Sequence, residues 1–403
     1  MRTSINDYVL RKVNFLTGSH DDVLKICNTH ARMPFDDEIM TFLNDVSVVL
    51  MNNKASRLYS DVVTFAFWIR MSSTKMLKER FIHSEAYRLG KGVVFHIAPS
   101  NVPVNFAYSL VAGLLNGNAN VVRVPSKGFE QVSIIADAFG EVLESYPYLK
   151  SYVILVRYAR DKDVNDLFSS IADVRVVWGG DATISELRKS PLPPRSGEIT
   201  FADRYSLAVI DSDIYLSIDN KSKVAIDFYN DTYFTDQNAC TSPRIVVWTG
   251  NRIDEAKEIF WKEEHDLVEQ MYRFQAVQAV NKLTSAYMSA VAIPGSSVED
   301  HEDNLIIRVR VPEAKASLMD YRGDSGFFFE YNCKDIMEIM NLCDDKHCQT
   351  ISYIGHRDMF LPLIKSGVKG IDRIVPIGKT MDFDLIWDGY DLTSMLTRVI
   401  SIS

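Results

Sequence analysis

The amino-terminal part of the chain carries apolar residues at helical spacing. Between Tyr59 and Phe81 the apolar positions recur mostly three or four residues apart, which predicts a helix over this stretch. The same helical periodicity continues to about residue 90. The sequence therefore predicts a helical lead-in before the first sheet begins.

From Gly92 the pattern changes to short β-branched runs that alternate with amphipathic helices. Strands are predicted at 93–97, 120–124, 152–156 and 174–178, and helices at 106–115, at 129–143 and between the last two strands. Alternation of strands and helices is typical of a parallel, doubly wound sheet. We therefore expect an α/β fold.

A proline-rich stretch, PLPPRSG at 191–197, interrupts this pattern. A second α/β unit follows from about Tyr205, so we predict two doubly wound lobes with a lobe boundary near residue 200. The predicted domains are 1–204, which includes the helical lead-in, 205–375, and a carboxyl-terminal segment at 376–403 that serves oligomerisation or returns to the first lobe.

Composition and charge exclude several classes of protein. With 403 residues, 47% of them hydrophobic, the chain can bury two ordinary cores. Its formal net charge of -9 predicts no nucleic-acid partner. The start shows no basic leader with an apolar stretch, and no apolar run reaches the length of a membrane span, so we expect a cytoplasmic protein without a membrane partner.

The five cysteines form an odd set without paired CxxC spacing. This fits neither a disulfide framework nor a zinc site, so we predict free thiols and no metal. They are Cys27, Cys240, Cys333, Cys343 and Cys348.

Cys240 lies in the segment DQNACTSPR, between a predicted helix at 221–229 and a predicted strand at 245–248. A turn at the edge of a sheet can present a nucleophile to a cleft, and small neighbours let backbone N–H groups approach a reacting carbonyl. The alternative is a partly buried structural cysteine, which is the more common state of an arbitrary lone cysteine. Local sequence alone does not overturn that alternative.

Asn101 follows the strand at 93–97 in the segment GVVFHIAPSNVPVN. The carboxyl end of a strand in an open α/β sheet is where ligands bind, and a side-chain amide there can donate to a developing oxyanion. A turn or helix-capping role is about as frequent for such an asparagine. His96, inside the strand, is interpreted as a core histidine rather than a base.

Two further strand ends carry groups suited to a nucleotide. Arg123, Ser126 and Lys127 end the strand of NANVVRVPSK and suit a ribose or its phosphate, although Ser126 could instead cap the next helix and Lys127 could be merely solvated. Gly179 and Gly180 join a strand to a helix and would let a pyrophosphate approach the helix amino terminus. By itself the glycine pair is a weak signal.

These segments, taken in order, resemble the aldehyde dehydrogenase superfamily. Within it they are most similar to the acyl-CoA reductase family typified by the fatty acid reductase of bacterial luminescence. The likeness runs from about residue 92 to the last residues and is carried by HIAPSNVP, GNANVVRVPSK, VVWGGD, DQNACTSP, HCQTISYIG and GIDRIVPIGKTMDFDLIWDGYDL. The resemblance implies a nicotinamide cofactor lobe at 1–204, a catalytic lobe at 205–375 and a shared cleft.

The resemblance also implies roles for single residues. Cys240 matches the nucleophile of the family and Asn101 its oxyanion-stabilising amide, while Arg123 stands where the superfamily usually has a ribose-binding lysine. Ser126 falls where members that prefer NAD often carry a glutamate, and Lys127 could attract a 2'-phosphate. These two features favour NADPH, with NADH still open.

Some positions depart from the superfamily pattern. The stretch ITFADRYS has Thr200 near the position of the glutamate that activates the deacylating water in hydrolytic members, so the thioester would be protected from water. Glu330 lies near the position of a ribose-contacting glutamate. The negative charge of Asp181 would be unfavourable beside a pyrophosphate. Trp387-Asp388-Gly389 resembles the carboxyl-terminal signature of the family, and no role is assigned to it.

We therefore expect NADPH-dependent reduction of an acyl thioester to an aldehyde through a Cys240 thioester, with coenzyme A as leaving group. The donor could be an acyl-CoA or an acyl-protein, and an acyl-transferring or acyl-activating partner enzyme would fit the latter. One rival is an aldehyde dehydrogenase that oxidises an aldehyde. Another is an acyl-accepting transferase or scaffold subunit without redox activity. The resemblance further suggests a homo-oligomer.

Overall fold

The computed structural model describes residues 7–81, 87–100, 102–300 and 303–402. It divides into two compact units. Unit 1 comprises Met1–Ala202 and Tyr390–Ser403, and unit 2 comprises Asp203–Gly389. The chain therefore leaves unit 1, forms the whole of unit 2 and then returns.

Unit 1 is built around a six-stranded sheet in the order β1-β5-β4-β3-β6-β7. The pairs among β3 to β7 are parallel, and β1 joins β5 in the antiparallel sense. This confirms the predicted α/β fold with a parallel sheet. The strands of this part of the chain are β1 (Asn14–Thr17), β2 (Tyr87–Gly90), β3 (Val93–Ile97), β4 (Ala119–Arg123), β5 (Val153–Arg157), β6 (Val174–Trp178) and β7 (Gly197–Phe201).

The central strands of unit 1 are apolar because both faces of the sheet are covered. Every residue of β3 and of β6 is buried, as expected for parallel strands between two helical layers. The helices are α1 (Asp7–Leu10), α2 (His20–Ile26), α3 (Asp37–Asn52), α4 (Ser60–Trp68), α5 (Met71–Phe81), α6 (Asn105–Leu115), α7 (Glu130–Leu143), α8 (Lys162–Ile171) and α9 (Asp181–Leu187).

The amino-terminal lead-in differs from the prediction in two ways. The single helix predicted over 59–81 is two helices. Helix α4 ends at Trp68 with Ile69 as its C-cap, and α5 begins at Met71, whose amide donates to Asn44 Oδ1 at 3.1 Å. The lead-in also contains β1, whose partner β5 lies far along the chain. A long-range pairing of this kind leaves no periodic signal in four residues.

Unit 2 contains a seven-stranded sheet in the order β10-β11-β12-β9-β8-β13-β14. All pairs are parallel except β10 with β11. The strands of unit 2 are β8 (Tyr205–Asp211), β9 (Pro243–Thr249), β10 (Ser297–Val298), β11 (Ile307–Arg310), β12 (Phe327–Asn332), β13 (Cys348–Ile354), β14 (Arg373–Pro376) and β15 (Ile386–Trp387). Its helices are α10 (Ser212–Ser217), α11 (Lys221–Asp231), α12 (Ile253–Met271), α13 (Ala276–Ala292), α14 (Met340–Cys343) and α15 (Leu361–Lys365).

The two faces of this sheet bury separate hydrophobic clusters. Along β8, Leu207 and Val209 pack into one cluster while Ala208 and Ile210 pack into the other. Successive side chains of a strand point to opposite faces, so both faces of the sheet are covered. The central strands β8 and β9 are thereby held rigidly, which fixes the turns that precede them.

The returning segment adds three elements to unit 1, namely β16 (Tyr390–Asp391), α16 (Leu392–Leu396) and β17 (Thr397–Ile400). Strand β17 pairs with β2 in the antiparallel sense. The carbonyl of Leu396 accepts hydrogen bonds from the Lys91 amide at 3.2 Å and from Asn118 Nδ2 at 3.0 Å. Within the described residues, no helix has the length and apolar character needed to cross a membrane.

Candidate active site

Cys240 lies on the turn that precedes β9, as the sequence predicts. The hydroxyl of Ser206, at the start of β8, donates to the Cys240 carbonyl oxygen at 2.8 Å. Strands β9, β8 and β13 are parallel neighbours, so their amino ends share one edge of the sheet. Cys240 therefore sits at the amino-terminal edge of the unit 2 sheet, where its residue is half-buried.

The side chain of Gln237 anchors this turn to the sheet. Its Nε2 donates to the carbonyl oxygens of Pro243 and Phe327, both at 2.9 Å. Its Oε1 accepts from the amides of Gly326 at 3.0 Å and Phe327 at 3.2 Å. Gln237 is fully buried and has a φ of +60°, a left-handed conformation that costs a non-glycine residue free energy. The four hydrogen bonds offset that cost and tie the nucleophile segment to β9 and β12.

The loop that hydrogen-bonds to the Gln237 side chain is fixed in turn by the side chain of Lys282. Lys282 Nζ donates to the Ser325 carbonyl oxygen at 2.6 Å and to the Leu305 carbonyl oxygen at 3.0 Å. Burial lowers the pKa of Lys282 to about 8. A Cβ at Gly326, whose φ is +93°, would lie 2.3 Å from Tyr233 Oη. Only glycine therefore fits this position beside the Gln237 amide.

Burial, followed by the negative charge of Asp388, raises the pKa of the Cys240 thiol to about 12. Donation from the Gln349 side chain and from the backbone N–H of Cys240 acts in the opposite direction, and the charge of Asp203 adds a smaller increase. The resting group is therefore a neutral thiol at neutral pH. The two donors that lower this pKa are both amides.

Gln349 and Asp388 join the site from β13 and from the segment after β15. Gln349 is fully buried, and its Nε2 donates to Asp388 Oδ1. Burial raises the pKa of Asp388 to about 6 against the donation from Gln349 and the charge of Arg204. Sequence reasoning missed Gln237 and Gln349 and left Asp388 without a role. Gln349 lies within the motif HCQTISYIG and Asp388 within IWDGYDL, so these two motifs are the sequence signal that could have identified both residues.

The residues predicted to contact a nucleotide follow two strands of unit 1, β4 and β6, which lie on either side of β3. Arg123 ends β4, and its guanidinium lies 4.6 Å from the Tyr158 ring centroid. Ser126 and Lys127 are exposed. Helix α7 has Phe129 as its N-cap, so Ser126 does not cap it. This finding removes the capping alternative for Ser126.

Gly179 and Gly180 connect β6 to α9, with Gly180 as the N-cap residue. A Cβ at Gly179 would touch Thr183 Cγ2 at 3.2 Å, which explains that glycine by packing. At Gly180 no atom of the described residues lies within 4 Å of the Cβ position. The backbone at Gly180 is therefore open to an approaching group, and Asp181 follows it as the first residue of α9.

Glu330 lies in unit 2 on β12 and is fully buried. Its Oε1 accepts from Trp248 Nε1 and Trp261 Nε1, each at 2.8 Å, and Arg308 Nη1 lies 3.2 Å from its Oε2. Lys257 Nζ lies 3.7 Å from Oε1. These contacts give Glu330 an internal structural role, and the contact with a ribose stays a prediction.

Asn101 lies outside the described residues, so its role stays a prediction. His96 on β3 is buried, with Nδ1 at 2.7 Å from Ser109 Oγ and Nε2 at 3.0 Å from Asn120 Oδ1. Both ring nitrogens therefore have partners, which agrees with its interpretation as a core residue. Burial lowers the pKa of His96 to about 4, so the ring is neutral.

Comparison with known proteins gives a family match over most of the chain. The family model described as acyl-CoA reductase (LuxC) matches residues 69–398. The chain is 25% identical over 210 residues to the long-chain acyl-protein thioester reductase 2 of Photobacterium leiognathi, covering 51% of this chain and 41% of that protein. It is 25% identical over 355 residues to the long-chain acyl-protein thioester reductase of Vibrio harveyi, covering 83% of this chain and 68% of that protein.

Solved structures share the fold at low sequence identity. A mutant form of 1-pyrroline-5-carboxylate dehydrogenase from Thermus thermophilus superimposes with a TM-score of 0.65 at 13% identity, covering 95% of this chain and 85% of that chain. Lactaldehyde dehydrogenase from Escherichia coli gives a TM-score of 0.60 at 13% identity, covering 90% of this chain and 86% of that chain. The predicted aldehyde dehydrogenase-like fold is confirmed.

Proposed function

Because the chain belongs to the acyl-CoA reductase (LuxC) family, we propose that it reduces a long-chain acyl thioester to the aldehyde, with NADPH as hydride donor and Cys240 as nucleophile. The setting of Cys240 carries this proposal. Cys240 is half-buried on a turn, whereas Cys333, Cys343 and Cys348 of the same unit are at most 1% exposed. A nucleophilic thiol needs such access, and a structural one does not.

In the first step the Cys240 sulfur attacks the carbonyl carbon of the acyl thioester. A bond forms between Sγ and that carbon, the bond from carbon to the donor sulfur breaks, and the proton lost by Cys240 ends on the donor thiol. The backbone N–H of Cys240, which lowers the pKa of its thiol, would support the developing oxyanion. Asn101, outside the described residues, is the proposed second donor.

In the second step the acyl group leaves Cys240 as the aldehyde. The reduced nicotinamide nucleotide, when bound, supplies the hydride that converts the thioester carbonyl to the oxidation level of an aldehyde. Cleavage of the bond between carbon and Sγ then releases the aldehyde, and the Cys240 thiolate takes a proton from water. Gln349, whose side chain lowers the pKa of the Cys240 thiol, would stabilise the negative charge on the sulfur as the aldehyde leaves.

The unit 1 residues fit a phosphate-bearing nucleotide. Gly180 offers an open backbone after β6, and Arg123 places a cation at the end of β4. Ser126 and Lys127 are exposed and carry no carboxylate that would repel a 2'-phosphate. These features support NADPH over NADH.

Two kinds of acyl donor, acyl-CoA and acyl-protein, carry the same thioester group. The family description names acyl-CoA, whereas the relatives are named for acyl-protein thioesters. Either donor would leave a thiol after attack by Cys240. The chain spans 41% of the length of the Photobacterium relative, so its substrates and partners belong to this proposal.

The test measures NADPH and NADH oxidation with acyl-CoAs of graded chain length and with an acylated carrier protein. In parallel, radiolabelled acyl groups are traced to protein. Cys240→Ala should abolish labelling and turnover, while titration of NADPH by fluorescence should still show binding. Cys27→Ala, which changes the half-buried cysteine of unit 1, is the matched control and should label normally.

Three results would contradict the proposal. Labelling of Cys240→Ala would remove Cys240 as the nucleophile. Labelling of Cys240 without nicotinamide oxidation for any donor would identify an acyl-accepting protein instead of a reductase. Release of free acid from an aldehyde with NADP, in the absence of coenzyme A, would identify an oxidising dehydrogenase.

A further inference from the structure

Helix α13 of unit 2 exposes a face without charge. Its 17 residues include a single charged side chain, Lys282, which is 1% exposed and donates inward to the carbonyl oxygens of Leu305 and Ser325. The preceding helix α12 is different, because most of its exposed positions carry Asp, Glu or Lys. A helix face that remains in water is normally charged or polar. The exposed face of α13 therefore has the composition of a surface that is covered.

The apolar side chains of this face form one stripe along the helix. Five of them are between 55% and 88% exposed, namely Val277, Val280, Tyr287, Met288 and Val291. Counted from Val277, exposed residues recur after three, four, three and four positions, with Thr284 in the middle. This alternation is the spacing by which two helices pack side by side. The face is therefore suited to another helix.

The face is self-complementary about Thr284, the middle residue of α13. In an antiparallel pair of α13 helices that meet at Thr284, Val277 would lie against Val291 of the second copy. Val280 would lie against Met288 of the second copy in the same way. Thr284 Oγ1 already donates to the Val280 carbonyl oxygen at 2.7 Å, so no unsatisfied hydroxyl would be buried at the centre.

The polar groups of the face match in the same arrangement. Asn281 lies three residues before Thr284, and Tyr287 lies three residues after it. The antiparallel pair would therefore bring the Asn281 amide to the Tyr287 hydroxyl of the second copy, and these two groups can hydrogen-bond. Because α13 exposes no charge, the pairing would oppose no like charges and desolvate no ion.

The size of the face agrees with a weak, specific dimer. Seventeen residues at a rise of about 1.5 Å each give a helix about 25 Å long. Two such faces would bury on the order of 1,000 Å² in total, which is the lower limit for a specific interface. Association through α13 alone should therefore be reversible on dilution.

We propose that α13 is the contact surface for a second copy of this chain, which packs antiparallel to it about a twofold axis at Thr284. The proposal goes beyond the proposed function, because it involves neither the nucleophile nor a nucleotide.

The inner side of the same helix holds the turn that carries Cys240. Lys282 Nζ donates to the Ser325 carbonyl oxygen at 2.6 Å, and the next amide, that of Gly326, donates to Gln237 Oε1 at 3.0 Å. A second copy that restrains α13 would therefore also restrain the loop that fixes the Gln237 side chain.

The first test forms a disulfide across the twofold axis. Helices whose axes lie about 8–10 Å apart would bring the two Cα atoms at Thr284 to about 5 Å, which a disulfide can span. Mild oxidation of concentrated Thr284→Cys protein should therefore give a covalent dimer on a non-reducing gel. Gln270→Cys, at an exposed position of α12, is the matched control. It should give no more dimer than the unsubstituted protein, which accounts for Cys27 and Cys240.

The second test follows the mass of the assembly by sedimentation equilibrium. Val280→Glu should halve this mass at a concentration at which the unsubstituted protein is fully assembled, because it sets a carboxylate against Met288 of the second copy. Val48→Glu, the same change at an exposed valine of α3, should leave the mass unchanged. Adding Met288→Lys to Val280→Glu should restore the mass, since the antiparallel pair sets the two new charges against each other.

Four results would overturn the proposal. The protein could stay monomeric at every concentration, or it could assemble without a Thr284→Cys crosslink. The double variant could fail to recover, which would exclude the antiparallel pairing. Protection of α13 amides from hydrogen exchange only after addition of an acylated carrier protein would identify that protein as the occupant. None of these measurements requires acyl transfer to Cys240, so this proposal and the proposed function can fail independently.

Discussion

Replacing Gln237 by methionine should loosen the turn that carries Cys240. The substitution keeps the length of the side chain but removes its four hydrogen bonds, at 2.9, 2.9, 3.0 and 3.2 Å. It leaves the carbonyl oxygens of Pro243 and Phe327 and the amides of Gly326 and Phe327 without this partner. At about 1 kcal/mol for each bond, the expected loss in the free energy of unfolding of unit 2 is about 4 kcal/mol.

That loss is a large part of the stability of an ordinary domain. Urea unfolding gives the global value, and hydrogen exchange at the amides of Gly326 and Phe327 gives the local one. Both amides should exchange faster, and acylation of Cys240 should slow because its turn is no longer fixed to β12. Gln270→Met is the matched control, since Gln270 is exposed on α12, and it should change stability by less than about 0.5 kcal/mol.

A loss below about 1 kcal/mol, with unchanged exchange at Gly326 and Phe327, would refute this reasoning. It would mean that water replaces the amide of Gln237 at little cost. The left-handed backbone at Gln237 would then need another explanation.

Three more outcomes follow from buried groups. Burial lowers the pKa of His96 from 6.5 to about 4, so between these pH values only the unfolded chain binds a proton at this ring. The contribution of His96 to the stability of unit 1 should therefore be constant above pH 6.5 and fall by about 3 kcal/mol toward pH 4, as measured by urea unfolding. Gly326→Ala should yield insoluble protein in an expression test, because its Cβ would lie 2.3 Å from Tyr233 Oη and 2.4 Å from the Leu305 carbonyl oxygen. Glu264→Met should raise the melting temperature of unit 2, because both carboxyl oxygens are buried without a partner among the described residues. Burial raises the pKa of Glu264 well above 4.5, so this advantage should grow as the pH rises above 4.5.

The sequence predicts well the elements whose environment is uniform. Strands β3 and β6 were predicted at the bounds that the structure has, because strands buried on both faces are continuous apolar runs. Strand β1 escaped prediction, since its four residues are mostly exposed or half-buried and its partner lies more than a hundred residues away. The pattern of a short edge strand depends on tertiary contacts.

The site was predictable where its residues share a motif and not where the fold assembles them. Cys240 and its turn follow from a local pattern of helix, small residues and strand. Gln349 joins the site only because β13 pairs with β8, and no spacing rule connects its position with that of Cys240. Gln237 lies near Cys240 in sequence, but its function depends on the distant Gly326 loop.

The return of the chain to unit 1 has a consequence during synthesis on the ribosome. Strand β17 and the Leu396 carbonyl that accepts from Lys91 and Asn118 are translated only after all of unit 2. Until then the edge of β2 and the side chain of Asn118 lack these partners, so the nascent amino-terminal unit is incomplete while its neighbour emerges. Folding of unit 1 therefore cannot finish in the order of translation, and its exposed edge during that interval is where a chaperone would act.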